Sequence, residues 1–366
     1  MKRRSFISAT TGAIGGAAAA SSFPAPAIAQ ESREWTMVTT WPAGFPGLGT
    51  GAARFAQRVT EMSGGRLTIN VYGAGELVPA FEAFDAVTGG TADLFHGTPY
   101  YWQGRSPAFN FFTSAPYALT VGEHDAWIRW GGGQELWDEF YDGYGLKGFM
   151  SGNTSIQMGG WFPNELSSLD DIQGLSFRTA GLGGEVWRRV GMNVQTLPGG
   201  EIYQALDAGT LDAAEWVGPW NDLALGLHRV NKFYYGPSMI EPSAATEITV
   251  DKAKFEELPS DLQMIVRAAA DAENNIVTAE FNQQNIRALD VLINEHDVQL
   301  REWPDDITRA LAEASAEVVG EVAENDEMTG RIVDSLASFR ESAVRWAAIG
   351  EQSFAATRLL DIPFPR

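Results

Sequence analysis

Strand and helix patterns alternate along two separate stretches of this chain, and this alternation constrains the fold more than any other feature of the sequence. Between residues 35 and 96, three short apolar strand patterns are separated by two helical patterns, and residues 175–217 follow the same β-α-β-α-β order. Strands separated by helices are typical of sheets that carry helices on their faces. The two stretches share no sequence period. We therefore predict an α/β fold with two lobes of similar architecture and no sequence repeat.

The last third of the chain has a helical pattern. Residues 260–263 have the sequence of a capping box, and apolar residues then recur at helical spacing to about Glu295. A helix of this length would be roughly 50 Å long, which exceeds the width of one lobe. We expect it to bridge the lobes, to pack on another subunit, or to break near Asn274. Two further helices are predicted over about 305–324 and 330–358.

The first 29 residues have the features of an export signal. Arg3 and Arg4 precede a weakly apolar run of alanine and glycine, and residues 27–29 form a small-x-small cleavage site. Paired arginines ahead of such a run are typical of twin-arginine signals. The run is too short and too rich in glycine to span a bilayer. Residues 1–29 are therefore predicted to be a signal peptide, and the mature protein is predicted to be periplasmic.

The patterns also predict where the mature chain divides. Lobe I is assigned to residues 30–152 and lobe II to residues 153–241. Residues 242–258 would return the chain to lobe I, and residues 259–366 would form the C-terminal helices. The predicted fold class is thus α/β, with two lobes and a long C-terminal helix that spans them.

Charge and composition restrict the classes of ligand and chemistry. A formal net charge of -21 disfavours nucleic acid and anionic membranes as partners. The sequence has no cysteine, which excludes disulfides, thiolate metal sites and cysteine nucleophiles. It has no P-loop, G-x-S-x-G elbow or H-E-x-x-H motif, and its four histidines are scattered. The sequence therefore indicates binding more than catalysis.

Three charged residues lie near the ends of predicted strands. Arg178 ends one strand, Glu215 lies at the end of another, and Glu241 precedes the strand that returns to lobe I. Ligands of open α/β sheets bind outside the carboxyl ends of strands, and a guanidinium there suits a carboxylate. These residues are candidates for one ligand site. Alternatively, Arg178 could be a surface residue that pairs with Asp170 or Asp171.

Two buried carboxylates beside one arginine would need additional positive charge. An unpaired buried carboxylate costs several kcal/mol or takes up a proton. Either arginine neutralises Glu215 and Glu241, or a cation such as Na+ or Ca2+ does so with oxygen ligands from distant segments, since no EF-hand loop occurs. The two glutamates could also be the acid pair of a glycoside hydrolase. The residues alone leave these alternatives open.

Residues 169–216, LDDIQGLSFRTAGLGGEVWRRVGMNVQTLPGGEIYQALDAGTLDAAEW, resemble the core signature of TRAP-transporter solute-binding proteins, the DctP family. The shared frame is a strand that ends in arginine, a helix, a Pro-x-x-Glu-x-Tyr-x-Ala-Leu-x-x-Gly segment at residues 198–209, and a final Asp-x-x-Glu. The resemblance covers essentially the whole mature chain. It implies a two-lobed periplasmic binding protein, type II-like, which closes around a solute and is not an enzyme.

Within the family, the chain is most similar to the subgroup that binds α-keto acids or related 2-hydroxy acids together with a metal ion. The resemblance implies a set of substrate-binding residues, which are Tyr101, Gln157, Arg178 and Trp216. It also implies a set of metal ligands, which are Gln157, Glu215, the backbone carbonyl of Trp216, and Glu241. Gly159 stands where some relatives carry a polar residue that touches the ligand.

The resemblance also implies the cofactor, the ligand and the partners. The cofactor would be Na+ or Ca2+, and the ligand a small 2-oxo acid such as pyruvate or 2-oxobutyrate. Lactate, another 2-hydroxy acid or a sugar acid are alternative ligands. The macromolecular partners would be the membrane subunits of a TRAP permease and, through the C-terminal helices, a second copy of the chain.

Overall fold

Two sheets organise the protein in the computed structural model, which describes residues 32–360. The strands in this part of the chain are β1 Arg33–Thr39, β2 Leu67–Tyr72, β3 Leu94–Gly97, β4 Leu146–Asn153, β5 Gly160–Phe162, β6 Ser176–Arg178, β7 Asn193–Gln195, β8 Ala213–Ala214, β9 Phe233–Tyr235, β10 Ala245–Asp251 and β11 Gln299–Arg301. The helices are α1 Leu48–Met62, α2 Ala83–Thr88, α3 Phe109–Thr113, α4 Val121–Trp130, α5 Gly133–Asp142, α6 Gly183–Arg189, α7 Gly199–Asp207, α8 Pro219–Leu225, α9 Lys252–Glu256, α10 Ser260–His296, α11 Asp305–Ala323, α12 Glu327–Ile349 and α13 Glu351–Thr357.

Each sheet combines parallel strands with antiparallel ones. The first has the order β2-β1-β3-β10-β4, in which β1 is parallel to β2 and β3, while β10 is antiparallel to β3 and β4. The second has the order β11-β9-β5-β8-β6-β7, in which β6 is parallel to β7 and β8, while β5 is antiparallel to β8 and β9. The parallel strands are linked through helices, as the alternating sequence pattern predicts.

Besides the long connection through α10, the chain passes between the sheets along two segments that lie side by side. Residues 154–159 lead from β4 to β5, and residues 236–244 lead from β9 back to β10; we call them the crossing segments. The backbone N–H of Gln157 donates to the carbonyl of Pro242 at 3.0 Å, and that of Ser238 donates to the carbonyl of Gln157 at 2.9 Å. A residue on a crossing segment therefore lies where the two lobes are joined.

Helix α10 is continuous and contacts both lobes. Glu273 pairs with Arg54 of α1, on the side of the first sheet, at 2.7 Å. About two turns further on, the Phe281 ring lies 5.1 Å from the ring of Trp220 in α8, on the side of the second sheet. Of the three expectations for this helix, bridging of the lobes is confirmed. No break occurs near Asn274, which is buried and donates from its side chain to another helix.

Two smaller predictions at the ends of helices are wrong. The capping box at residues 260–263 does not form, because Pro259 precedes α10 without a side-chain capping bond and Gln263 instead donates to the Leu258 carbonyl at 2.9 Å. The last predicted helix is two helices, α12 and α13, which are separated at Gly350.

The α/β fold with two lobes and a long helix that spans them is confirmed for the described residues. The predicted signal peptide lies outside residues 32–360, and the predicted lobe boundaries remain predictions. No helix within these described residues has both the length and the apolar character that crossing a membrane requires.

A carboxylate lies in the core of the first lobe. Glu247 of β10 is fully buried and accepts hydrogen bonds from Trp102 Nε1 at 3.0 Å, from the Tyr141 hydroxyl at 2.8 Å, and from the Thr249 hydroxyl. Burial raises the pKa of Glu247 to about 7, although these three hydrogen bonds act to lower it. Trp102 ends a 3-10 turn, Pro99–Trp102, so Glu247 also anchors that turn.

We expect the pH dependence of stability to change in Glu247→Gln. A carboxyl whose pKa is higher in the folded protein than in the unfolded chain destabilises the fold as pH rises from about 4.5 to 7, because the folded state holds the proton more tightly. Between pH 5 and pH 8, the free energy of unfolding of the parent should therefore fall by on the order of 2 kcal/mol more than that of the variant. Urea unfolding at both pH values measures this difference, and equal changes in the two proteins would contradict it.

Candidate ligand and cation site

Three charged residues that are distant in sequence come together between the sheets. Arg178 is the last residue of β6, Glu215 follows the parallel strand β8, and Glu241 lies on the second crossing segment; their exposed fractions are 0%, 3% and 5%. Arg178 Nη1 lies 3.6 Å from Glu215 Oε2, and the Tyr100 hydroxyl donates to Glu241 Oε1 at 3.2 Å. Arg178 is thus part of a buried cluster and does not pair with residues 170–171 at the surface.

The guanidinium of Arg178 is held on several sides. Its Nε donates to the Leu197 carbonyl at 3.0 Å and its Nη1 donates to the Glu215 carbonyl at 2.8 Å. Its Cζ atom lies 4.8 Å from the centre of the Trp216 ring, a cation-π distance. Gly199 makes room for that ring, since a Cβ atom there would lie 2.5 Å from ring carbons of Trp216. These contacts fix the arginine and leave its Nη2 without a partner.

The remaining two candidate residues lie beside this cluster. Gln157 is on the first crossing segment, is 1% exposed, and donates from Nε2 to the Thr154 hydroxyl at 2.8 Å. Tyr101 is partly exposed, and its ring lies 4.8 Å from that of Phe81 and 4.9 Å from that of Tyr100. The structure therefore brings all the predicted residues into one region, with Tyr101 on its more accessible side.

The positive charge of the cluster does not balance its two carboxylates. Burial raises the pKa of Glu215 well above its usual range, and the neighbouring Glu241 raises it further, whereas Arg178 lowers it. Burial also raises the pKa of Glu241 to about 7, against the opposing effects of Arg178 and of a hydrogen bond from Tyr100. One guanidinium that is already bonded to two carbonyls is insufficient for two buried glutamates.

Several buried polar atoms in this cluster have no hydrogen-bond partner. Two of them are acceptors, Gln157 Oε1 and Glu215 Oε1, and two are donors, Arg178 Nη2 and Trp216 Nε1. Unpaired buried polar atoms are costly and uncommon in folded proteins. Free acceptors suit a cation and free donors suit a carboxylate, so the residues fit a site that takes both.

A cation bound here would depend on neutral oxygen ligands as well as on carboxylates. Within residues 32–360, no group of three or more His, Cys, Asp or Glu side chains is arranged to hold a metal ion. The cluster has two glutamates, and the Gln157 amide and the Trp216 carbonyl are the neutral oxygens beside them. Ca2+ accepts such a mixture of carboxylate, amide and backbone oxygens, whereas Zn2+ favours nitrogen and sulfur.

A cleft of about 660 Å³ opens between the sheets next to the cluster. One side is formed by Thr40, Pro42, Ala74, Gly75 and residues 79–82, and the other by residues 196–198, Gly200 and Glu201. The second side includes Leu197, whose carbonyl accepts the hydrogen bond from Arg178. The cleft therefore reaches the backbone that holds the arginine, while the carboxylates are buried beyond its lining.

Two contacts in the cluster were not predicted from the sequence. Tyr100, rather than Tyr101, donates to Glu241, and the Thr179 hydroxyl donates to Glu215 Oε2 at 3.1 Å. The aromatic run that contains both tyrosines is visible in the sequence, but a 3-10 turn determines which of them faces the glutamate. Packing explains the glycine at position 159, since a Cβ atom there would lie 2.3 Å from the Trp303 ring.

The chain belongs to a known family of binding proteins. The model of DctP, bacterial extracellular solute-binding protein, family 7, matches residues 37–326. The resemblance at residues 169–216 is thereby confirmed, and the chain is a TRAP-transporter solute-binding protein.

Several relatives have described ligands. A monocarboxylate 2-oxoacid-binding periplasmic protein of Nostoc sp. is 38% identical over 320 residues, which are 87% of each chain. A solute-binding protein from Pseudoalteromonas atlantica with bound sodium and pyruvate is 34% identical, with a TM-score of 0.86 over 89% of this chain and 99% of that one. One from Colwellia psychrerythraea with bound calcium and pyruvate is 34% identical, with a TM-score of 0.86 over 89% and 100%. One from Bordetella bronchiseptica, a dimer with calcium and picolinate, is 32% identical, with a TM-score of 0.87 over 90% and 97%.

Proposed function

We propose that this chain is a periplasmic receptor that binds a small 2-oxo acid of the pyruvate and 2-oxobutyrate class together with Na+ or Ca2+. It would deliver the acid to the membrane subunits of a TRAP permease. The observation that carries the proposal is the set of unpaired acceptors and donors beside two buried glutamates and one arginine. The ligands of the relatives from Nostoc, Pseudoalteromonas and Colwellia support the same class of solute.

The donors of the cluster would bind the acid. Arg178 Nη2 is free to donate to a carboxylate oxygen, and Trp216 Nε1 is a second free donor nearby. Charge-assisted hydrogen bonds from a guanidinium to a carboxylate are among the stronger ones in proteins. Gln157 and Tyr101 would contact the same ligand from the crossing segment and from the cleft side.

The acceptors would bind the cation. Gln157 Oε1, the Glu215 carboxylate and the Trp216 carbonyl would be ligands together with Glu241. A cation held there would supply the positive charge that the glutamates lack and would coordinate the carboxylate and 2-oxo oxygens of the acid. Recognition would thus combine an arginine at one side of the ligand with a cation at another.

Binding would be coupled to closure of the cleft. Gln157 and Glu241 lie on the two crossing segments, while Arg178 and Glu215 belong to the second sheet. A ligand that contacts all four would hold the second lobe in one orientation relative to the segments that join it to the first. Rotation of lobes about such joining segments is a common form of ligand-driven closure.

Calorimetric titration of pyruvate tests this function directly. We expect tight binding in the presence of Na+ or Ca2+ and a loss of at least tenfold in affinity after removal of both cations, because the glutamates would then repel the acid. Titrations of 2-oxobutyrate and lactate under the same conditions compare 2-oxo with 2-hydroxy acids. The bound acid should be recovered unchanged. Equally tight binding with and without cations would contradict the role of the metal.

The role of Arg178 is tested by Arg178→Ala. Removal of the guanidinium would leave the carboxylate of the acid without its charged donor, so we expect a loss of about 2 kcal/mol or more in binding free energy. Arg189→Ala is the matched control, since that arginine pairs with Glu317 and Glu321 at the surface. Pyruvate titrations of both variants give the comparison, and binding by Arg178→Ala within threefold of the parent would show that the arginine has another role.

We also propose that the protein is a homodimer through its C-terminal helices. Apolar side chains are exposed at the end of α12 and in α13, with exposed fractions of 69% for Trp346, 76% for Ile349 and 68% for Phe354. Large exposed apolar patches are typical of interaction surfaces. The dimer described for the Bordetella bronchiseptica relative supports a second copy of the chain as the occupant.

Light scattering tests the dimer. The parent should have a mass near twice that of one chain, and the double variant Ile349→Glu/Phe354→Glu should be a monomer, because two carboxylates would have to be buried in the interface. Met62→Glu, at an exposed apolar residue of α1 outside the C-terminal helices, is the control and should remain dimeric. A monomeric parent would rule out this use of the helices.

A further inference from the structure

A third buried carboxylate, Asp222 of α8, lies next to the cluster. It is 1% exposed, and no salt bridge of the described residues involves it. Its Oδ2 accepts hydrogen bonds from Trp161 Nε1 at 2.9 Å and from the Tyr234 hydroxyl at 2.7 Å. Its Oδ1 accepts from the backbone N–H groups of Val217 and Gly218, both at 3.2 Å.

These four hydrogen bonds exclude Asp222 as a ligand itself and hold it in place. An ionised carboxylate has about four acceptor positions, and four donors occupy them here. Trp161 and Tyr234, which hold Oδ2, are both fully buried and stacked with their ring centres 3.8 Å apart. Oδ1 is therefore a fixed acceptor directed at the backbone that follows Trp216.

The N–H of Val217 belongs to the same peptide group as the carbonyl of Trp216. This peptide is trans, so its C=O and N–H point in opposite directions. The bond from Val217 to Asp222 therefore turns the Trp216 carbonyl oxygen away from the carboxylate. Within residues 32–360, no hydrogen-bond donor reaches that oxygen, although Trp216 is only 4% exposed.

We infer that Asp222 is a positioning residue of the cation site, which orients and polarises the Trp216 carbonyl as a ligand; this inference rests on the proposed function. A hydrogen bond from the peptide N–H to a carboxylate moves electron density toward the carbonyl oxygen and strengthens it as a ligand. The energy of a charge in this field is proportional to its valence, so a divalent cation gains about twice as much as a monovalent one.

The test is Asp222→Asn, which keeps the shape and one acceptor oxygen but removes the charge. We expect the Kd for Ca2+, titrated with saturating pyruvate, to rise at least tenfold, and the Kd for Na+ to rise by a smaller factor. Tyr234→Phe is the matched control, because it removes one hydrogen bond to Oδ2 and leaves the bonds from Val217 and Gly218 intact. It should lower the melting temperature of the metal-free protein while both Kd values stay within threefold of the parent.

The outcomes separate this inference from the proposed function. If the parent binds Ca2+ and the Kd of Asp222→Asn for Ca2+ is within threefold of the parent value, the inference is wrong and the proposed function stands. Asp222→Asn could instead lose equal affinity for Ca2+ and Na+, with the same losses in Tyr234→Phe. This result would show that Asp222 acts only through folding, and it would also overturn the inference. A parent that binds neither cation with pyruvate overturns the proposed function and this inference together.

A second variant covers a failure of Asp222→Asn to fold. The introduced amide group would face the Trp161 N–H, and Trp161→Phe removes that conflict while Tyr234 remains as an acceptor for the amide. The double variant Asp222→Asn/Trp161→Phe is then compared with Trp161→Phe alone. We again expect the Kd for Ca2+ to rise by a larger factor than the Kd for Na+. Equal factors for the two cations would overturn the inference.

Discussion

One arginine faces two buried glutamates at the junction of the lobes, and this unequal charge is the constraint on which the site depends. Two backbone carbonyls already accept hydrogen bonds from Arg178, and the Glu215 carboxylate is 3.6 Å from its nearest guanidinium nitrogen. Burial accordingly raises the pKa of both glutamates. A fold that retains such a cluster gains most when a cation and an anion enter together, because each compensates charges that the other leaves unpaired.

The fold places this unequal charge where the two lobes are joined. The crossing segments bring Gln157 and Glu241 together through their own backbone hydrogen bonds, and the parallel pair β6 and β8 brings Arg178 beside Glu215. Tyr100, from the first lobe, reaches Glu241. Helix α10 contacts both lobes as well, through Glu273 and Phe281. The proposed binding site and the proposed closure of the lobes would therefore involve the same residues.

The sequence predicts those features that depend on local patterns. The alternation of strands and helices predicts two lobes, and the position of charged residues at strand ends predicts Arg178 and Glu215 as candidate site residues. Gln157 follows only from the resemblance, since a single glutamine has no local signal. The choice between Tyr100 and Tyr101 depends on a 3-10 turn that the sequence does not resolve, and Asp222 acts through a peptide group five residues earlier in the chain.

Two other buried carboxylates of the protein, Glu247 and Asp222, provide a comparison with Glu215. Glu247 is surrounded by an indole, a phenol and a hydroxyl, and Asp222 by an indole, a phenol and two backbone N–H groups. In both residues each carboxylate oxygen has a donor. Glu215 is buried to a similar extent, yet its Oε1 has none. The chain thus satisfies both of these carboxylates with neutral donors, and it pairs a further buried one, Glu273, with Arg54 at 2.7 Å. Glu215 has neither a close ion pair nor a donor to Oε1, so this oxygen is available as a ligand of a cation.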